Sequence, residues 1–257
     1  MNWASLDLSI LAPALLAGVI VLSTHVPLGL LVLKRGIIFL DLAVAQIAGL
    51  GLVAASLMDI STQGILAQLI AVVSAILGAL FLFWTEQRWP ALQEAIIGSS
   101  FVIAASTGIL LLSGDPHGGD QIQELLSGQI LWISFDQLIY SAILFSIILI
   151  SWLKWHWHVS RISFYILFAL AVTASVQLVG VYLVFSSLII PALSCYYIAK
   201  PSTRLLWSYA TGLAGYLLGL LISALADLPS GPMIILSLVA CGVVSWNLSR
   251  VLNLRKV

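Results

Sequence analysis

The hydrophobic and polar positions divide the chain into long apolar runs separated by short polar punctuation. The runs fall at about 8–33, 37–58, 64–84, 95–113, 136–155, 162–199, 205–225 and 233–252. A helix needs about 20 predominantly apolar residues to cross the hydrocarbon of a bilayer, and most of these runs are close to that length. The run 162–199 is too long for one crossing at a rise of about 1.5 Å per residue. Gly180, the pair Ser186–Ser187 and Pro191 are the places where it can turn or break. The pattern predicts an all-α, polytopic transmembrane bundle of about eight or nine spans. No linker or low-complexity stretch separates the runs, so the expectation is one transmembrane domain over residues 1–257.

Composition narrows the class. Of 257 residues, 61% are hydrophobic and 8% charged, against roughly a quarter charged in a soluble domain. The chain therefore has too little charge to cover a water-facing surface. Ten Lys and Arg balance ten Asp and Glu, which leaves no basic field for nucleic acid. The two cysteines, Cys195 and Cys241, stand alone in apolar runs, so neither a disulfide framework nor a thiolate metal site is indicated. The opening MNWASLD has no Lys or Arg, unlike the basic start of a cleaved signal peptide, and the first run reads as a retained span.

The basic residues set the topology. Lys34 and Arg35 follow the first run, Arg88 the third, Lys154 and Arg161 the fifth, and Lys200 and Arg204 precede the seventh. Arg250, Arg255 and Lys256 close the chain. With the N-terminus outside and 162–199 crossing twice, or holding a broken or re-entrant element, all of these fall on the cytoplasmic face. Asp59, Asp115, Asp120, Glu124 and Asp227 fall on the other.

An ionisable residue within a span is costly and marks a functional candidate. Asp41 lies about six residues, or ~9 Å, into the second run, with Gln46 further along the same helix. His25 sits at a similar depth in the first run, so the two are expected on adjacent helices. A His–carboxylate set suits Zn²⁺ or Mn²⁺. The same residues also fit a plainer arrangement, in which Asp41 pairs with Lys34 or Arg35 and His25 satisfies a carbonyl near Pro27. The segment 114–124 carries Asp115, His117, Asp120 and Glu124 and reads as an external loop that meets a cation, docks a partner or is simply solvated. His156 and His158, between tryptophans, read as an interfacial aromatic belt more readily than as metal ligands. Gly215 and Gly219 form a GxxxG that suits close helix packing. No nucleophile–base pair, P-loop or HExxH occurs, so the chain is not expected to be an enzyme.

Four segments in order carry a family resemblance: PLGLLVLKRGIIFLDLAVAQIAGLG (27–51), LLSGQILWIS (125–134), VGVYLVFSSLIIPALS (179–194) and DLPSGPMIIL (227–236). Together the chain resembles the permease subunits of bacterial zinc/manganese ABC importers of the zinc-uptake type. That resemblance implies a multi-pass inner-membrane protein that carries Zn²⁺, ahead of Mn²⁺, as substrate and holds no permanent cofactor. It also implies a homodimer, a cytoplasmic ABC ATPase and an external metal-binding protein as partners. The family's metal-contacting Asp falls on Asp41, but its His falls on Ala45, so His25 is the expected substitute. The family's short coupling helix between the fifth and sixth spans has little room between His156 and Arg161. The expected ATPase contact therefore moves to Thr85–Gln93, with Glu86 and Arg88. The alternatives are a relative without ATPase coupling, acting as a passive or proton-coupled metal conduit, or a non-transporting membrane scaffold.

Overall fold

The computed structural model describes residues 8–58, 60–61, 64–113, 115, 118–128, 130–155 and 161–254. The described residues form ten α-helices and no strand: α1 (Leu8–Arg35), α2 (Leu40–Leu57), α3 (Ile65–Arg88), α4 (Gln93–Leu112), α5 (Gly118–Ser127), α6 (Phe135–Trp155), α7 (Arg161–Val179), α8 (Val181–Ser194), α9 (Pro201–Ala226) and α10 (Ser230–Leu254). Short 3₁₀ turns occupy Pro90–Leu92 and Ile130–Trp132. Helices dominate because hydrocarbon offers no water to satisfy backbone amides, and a helix closes those bonds within the segment. Among the described residues seven helices are long and apolar enough to span a membrane, and the shorter apolar stretches Phe135–Ser151 and Val181–Ser194 accompany them. The chain is a multi-pass membrane protein.

The long run divides at Gly180. That residue adopts φ 81° and ψ 161°, a region essentially restricted to glycine, so α7 stops and α8 starts afresh. Ser186, Ser187 and Pro191 instead lie inside α8. A Cβ on Gly180 would also overlap the backbone of Gly128, so conformation and contact fix the same turn. Nearby, a Cβ on Gly231 would lie 2.8 Å from the Ser127 carbonyl oxygen. The end of α5, the α7–α8 turn and the start of α10 thus meet at one end of the bundle. At α8's 14 residues the helix spans only ~21 Å, short of the ~30 Å hydrocarbon core.

At the opposite end, Arg35 lies within electrostatic reach of Glu86 and Arg161. The C-termini of α1 and α3 and the N-terminus of α7 therefore converge there, as the distribution of basic residues predicts for one face. The third apolar run continues as helix through Thr85–Arg88, where the Thr85 hydroxyl donates to the Leu82 carbonyl at 2.9 Å.

Helix α1 packs on α8, α9 and α6, whereas α2 packs on α3 and α4. Pro27 lies inside α1 and supplies no amide for the carbonyl of Ser23, one turn earlier. The Tyr209 hydroxyl of α9 fills the gap, donating to Ser23 O at 2.8 Å. The GxxxG of α9 behaves as its spacing predicts. A Cβ on Gly215 would lie 2.8 Å from Leu238 Cα, and one on Gly219 would lie 2.8 Å from Ile234 N, so α9 and α10 cross at backbone contact.

One segment read as loop is partly helical. From Gly118 onward, the acidic segment 114–124 winds into α5, with Asp120 in its first turn. Ile122, Leu125 and Leu126, at helical i, i+3, i+4 spacing, turn inward, while Asp120 and Gln123 are exposed.

Candidate functional site: a cavity at the start of α2

The first turn of α2 carries the site's charge. Gly36 turns the chain with φ 70°, Phe39 is the N-cap, and no side chain of its own caps the helix. Asp41 follows in the first turn, 1% exposed. Among the described residues neither carboxylate oxygen has a well-formed hydrogen bond, and the first-turn amides of Asp41 and Leu42 are the polar groups that act on it. The free N–H groups and partial positive charge of a helix start make this the cheapest place along a span to hold an acceptor-only group.

From that turn, one face of α2 runs along a cavity of about 530 Å³. Leu42, Ala45, Gln46, Gly49, Leu50 and Val53 form the α2 wall. The other walls come from α4 near Ala104, from the inward face of α5, from α8 at Tyr182, Phe185 and Ser186, and from single residues of α7 and α10. The lining is largely apolar, with Gln46, Tyr182 and Ser186 as its polar side chains. Gln46 therefore faces the cavity, as does Ala45, while Asp41 lies one residue before the first lining position and one turn from Ala45.

His25 is fully buried in α1, with Nδ1 3.0 Å from the Val21 carbonyl and 3.2 Å from the Thr24 hydroxyl. Its Nε2 has no partner. His25 and Asp41 thus share no hydrogen bond, and α1 and α2 have almost no contact with one another. The hairpin that was to pair them is not a packed one, because other helices take the flanks of α1. Carbonyl satisfaction near Pro27 describes His25 better than the paired arrangement.

The remaining candidates are scattered. Asp115 is half-buried and Asp120 is exposed on α5; His117, His156 and His158 lie outside the described residues, as does the side chain of Glu124. Among the described residues no three His, Cys, Asp or Glu side chains gather into a metal site. Arg88 is exposed, beside exposed Trp89 and Leu92. Glu86 instead turns inward, attracted to Arg35, with Oε2 buried and unpartnered. Arg35 in turn lies over the Phe164 ring, 4.1 Å from its centroid.

The sequence reading missed Glu94. The Ile38 N–H, just before α2, donates to Glu94 Oε1 at 2.6 Å. An acidic residue in the first turn of α4 was the available signal, but no local pattern names a partner 56 residues away.

The family model described as the ABC 3 transport family matches residues 7–160 and 155–248. The chain is 24% identical to the "High-affinity zinc uptake system membrane protein ZnuB" of Haemophilus influenzae, over 88% of this chain and 93% of that protein. It is 28% identical to a second protein of that organism, named "Probable iron transport system membrane protein", over 51% of this chain and 56% of that one. Its fold matches the structure titled PsaBC from Streptococcus pneumoniae in complex with Fab, with a TM-score of 0.74 at 18% identity, over 91% of this chain and 90% of that chain.

Proposed function

This chain belongs to the ABC 3 transport family, and we propose that it is the membrane-spanning permease subunit of an importer for a divalent transition metal, Zn²⁺ ahead of Mn²⁺. The observation that carries this reading is Asp41, a buried carboxylate without a hydrogen-bond partner beside a cavity within the bundle. A carboxylate buried without a partner is costly to hold, and a helix start lowers that cost without removing it. A passing cation repays that cost, and a purely structural role does not. The names of the Haemophilus influenzae relatives, for zinc uptake and iron transport, support a metal as cargo. Gln46 adds an oxygen donor on the cavity wall, and the residues Asp115, Asp120 and His117 of the segment read as external are weaker candidates for receiving the ion. Cells with and without the gene should differ in zinc content when grown at limiting metal, read by elemental mass spectrometry. A deficit in manganese or iron alone would change the ion, and no deficit in any metal would sink the reading.

The subunit is proposed to work as a homodimer with an external metal-binding protein and a cytoplasmic ATPase, since the sequence has no P-loop of its own. In this arrangement the N-terminus lies outside and the C-terminus in the cytoplasm. A cysteine placed at exposed Gly119 should then react with an impermeant probe from the outside. The ATPase contact falls on the exposed turn 88–92. An ATPase that co-purifies with the wild type should be lost from the Arg88→Glu variant.

A second reading has its own observation. Only residues 156–160 separate α6 from α7, and five residues make at most ~8 Å of helix. A conduit without ATPase coupling is favoured if no ATPase co-purifies and uptake follows the proton gradient.

A further inference from the structure

We infer that Glu94 is a positioning residue: it clamps the start of α2 to the α3–α4 turn and so sets where Asp41 stands. The inference rests on the transport reading of Asp41 and adds to it the residue that holds that carboxylate in place.

Two adjacent side chains make the clamp. Gln93 fastens the start of α4 to the end of α3: its Nε2 donates to the Leu82 carbonyl at 2.8 Å, and its Oε1 accepts from the Thr85 hydroxyl at 3.1 Å. Glu94, the next residue, reaches the other way and accepts the Ile38 N–H at 2.6 Å. A carboxylate accepting a backbone N–H makes one of the stronger hydrogen bonds available. Ile38 is three residues before Asp41, in the turn that leads into α2. No side chain of α2 caps its own start, so this amide is fixed by α4. On the far side, Arg35 rests on Phe164 and is attracted to Glu86, which holds the other arm of the turn at Gly36. The exposed stretch Arg88–Leu92 is thus joined through Gln93 and Glu94 to the first turn of α2. A displacement of that stretch must either break the 2.6 Å bond or carry Asp41 with it. Nothing in the bond requires metal, so Glu94 acts through Ile38 and not as a ligand.

The test uses the full-length protein and three variants. Glu94→Ala removes the acceptor, Glu94→Gln keeps a neutral acceptor at the same reach, and Glu94→Asp keeps the charge at shorter reach. Hydrogen exchange read by mass spectrometry should speed at the amides of residues 38–42 by roughly ten-fold or more in Glu94→Ala, the effect of losing a charged acceptor. Glu94→Gln should lie near the wild type. Uptake of ⁶⁵Zn and ⁵⁴Mn should fall in the same order, with the amount of inserted protein unchanged. If Glu94→Ala does not insert, Glu94→Asp against Glu94→Gln decides: the first keeps the charge without the reach and the second the reach without the charge, so the clamp expects faster exchange in Glu94→Asp alone. Unchanged exchange at residues 38–42 overturns the clamp. Equal loss of uptake in the Gln and Ala or Asp variants, or loss without faster exchange, overturns the positioning role. If the wild type takes up neither metal, the transport reading fails separately, and exchange alone decides the clamp.

Discussion

The polar groups of α8, α9 and α10 and those around the start of α2 both include atoms shut away from solvent, resolved in opposite ways. In the first region Ser187 and Tyr216 share a hydrogen bond at 2.8 Å, the Thr211 hydroxyl donates to Ser245 at 3.0 Å, and the Ser249 hydroxyl reaches the Ser194 carbonyl at 3.3 Å. In the second, both oxygens of Asp41, one oxygen each of Glu86 and Glu94, and Nη1 of Arg35 are buried without a partner. For Asp41 and Glu94 the difference follows from donor chemistry. A hydroxyl donates and accepts, so it can serve its own helix carbonyl and a neighbouring helix together. A carboxylate only accepts, and within a helix the amides are already engaged except in the first turn. Asp41 and Glu94 both stand in first turns. Hydroxyl pairs join α8, α9 and α10, whereas Asp41 and Glu94 keep unpartnered oxygens at helix starts.

Three variants test that contrast. The largest effect is expected for Asp41→Asn, which is nearly isosteric and neutral. Metal uptake should fall at least about ten-fold, the equivalent of one ~1.4 kcal/mol interaction lost from the transport step. The inserted variant should melt no lower than the wild type, because a neutral amide is cheaper to bury than a carboxylate. Normal uptake in Asp41→Asn would make the charge structural and erase the distinction between the regions.

Gly180→Ala should come next and act on stability. The backbone at φ 81° and ψ 161° costs a residue with a Cβ about 1–3 kcal/mol, and the overlap with Gly128 adds to it. A clear drop in the detergent melting temperature is expected. An unchanged melting temperature would mean that this turn relaxes freely and that the meeting of α5, α8 and α10 does not depend on it.

The smallest effect is expected for Tyr216→Phe. It removes the bond to Ser187 while keeping the ring that packs beside Gly18, and such bonds between membrane helices average about 0.6 kcal/mol. Stability should change slightly and uptake should stay within about two-fold of the wild type, as expected for a small packing change. A transport defect as deep as that of Asp41→Asn would place the hydroxyl region on the route as well.

Hydropathy alone determined the all-α membrane bundle, the approximate bounds of its spans and Gly180 as one of three candidate breaks. These are properties of single segments: in hydrocarbon a run of about 20 apolar residues has few options besides a helix, and a conformation open to glycine alone needs no neighbour to specify it. The close crossing at Gly215 and Gly219 was legible for the same reason, since a bare helical face is a local fact. Asp41 could be singled out because a charge in an apolar run stands out in one dimension.

What stands next to what was set by packing. Similar depth on consecutive helices suggested His25 beside Asp41, but α8, α9 and α6 pack on α1, so adjacency in sequence did not become contact. The start of α2 is held instead by Glu94 from α4, a partner that no spacing rule reaches. The inward turn of Glu86 and the wall that α5 adds to the cavity arise in the same way. Hydropathy assigns each residue to lipid or interior, but it carries no information about which interior neighbour supplies the missing hydrogen bond, because that is fixed only when all the helices pack together.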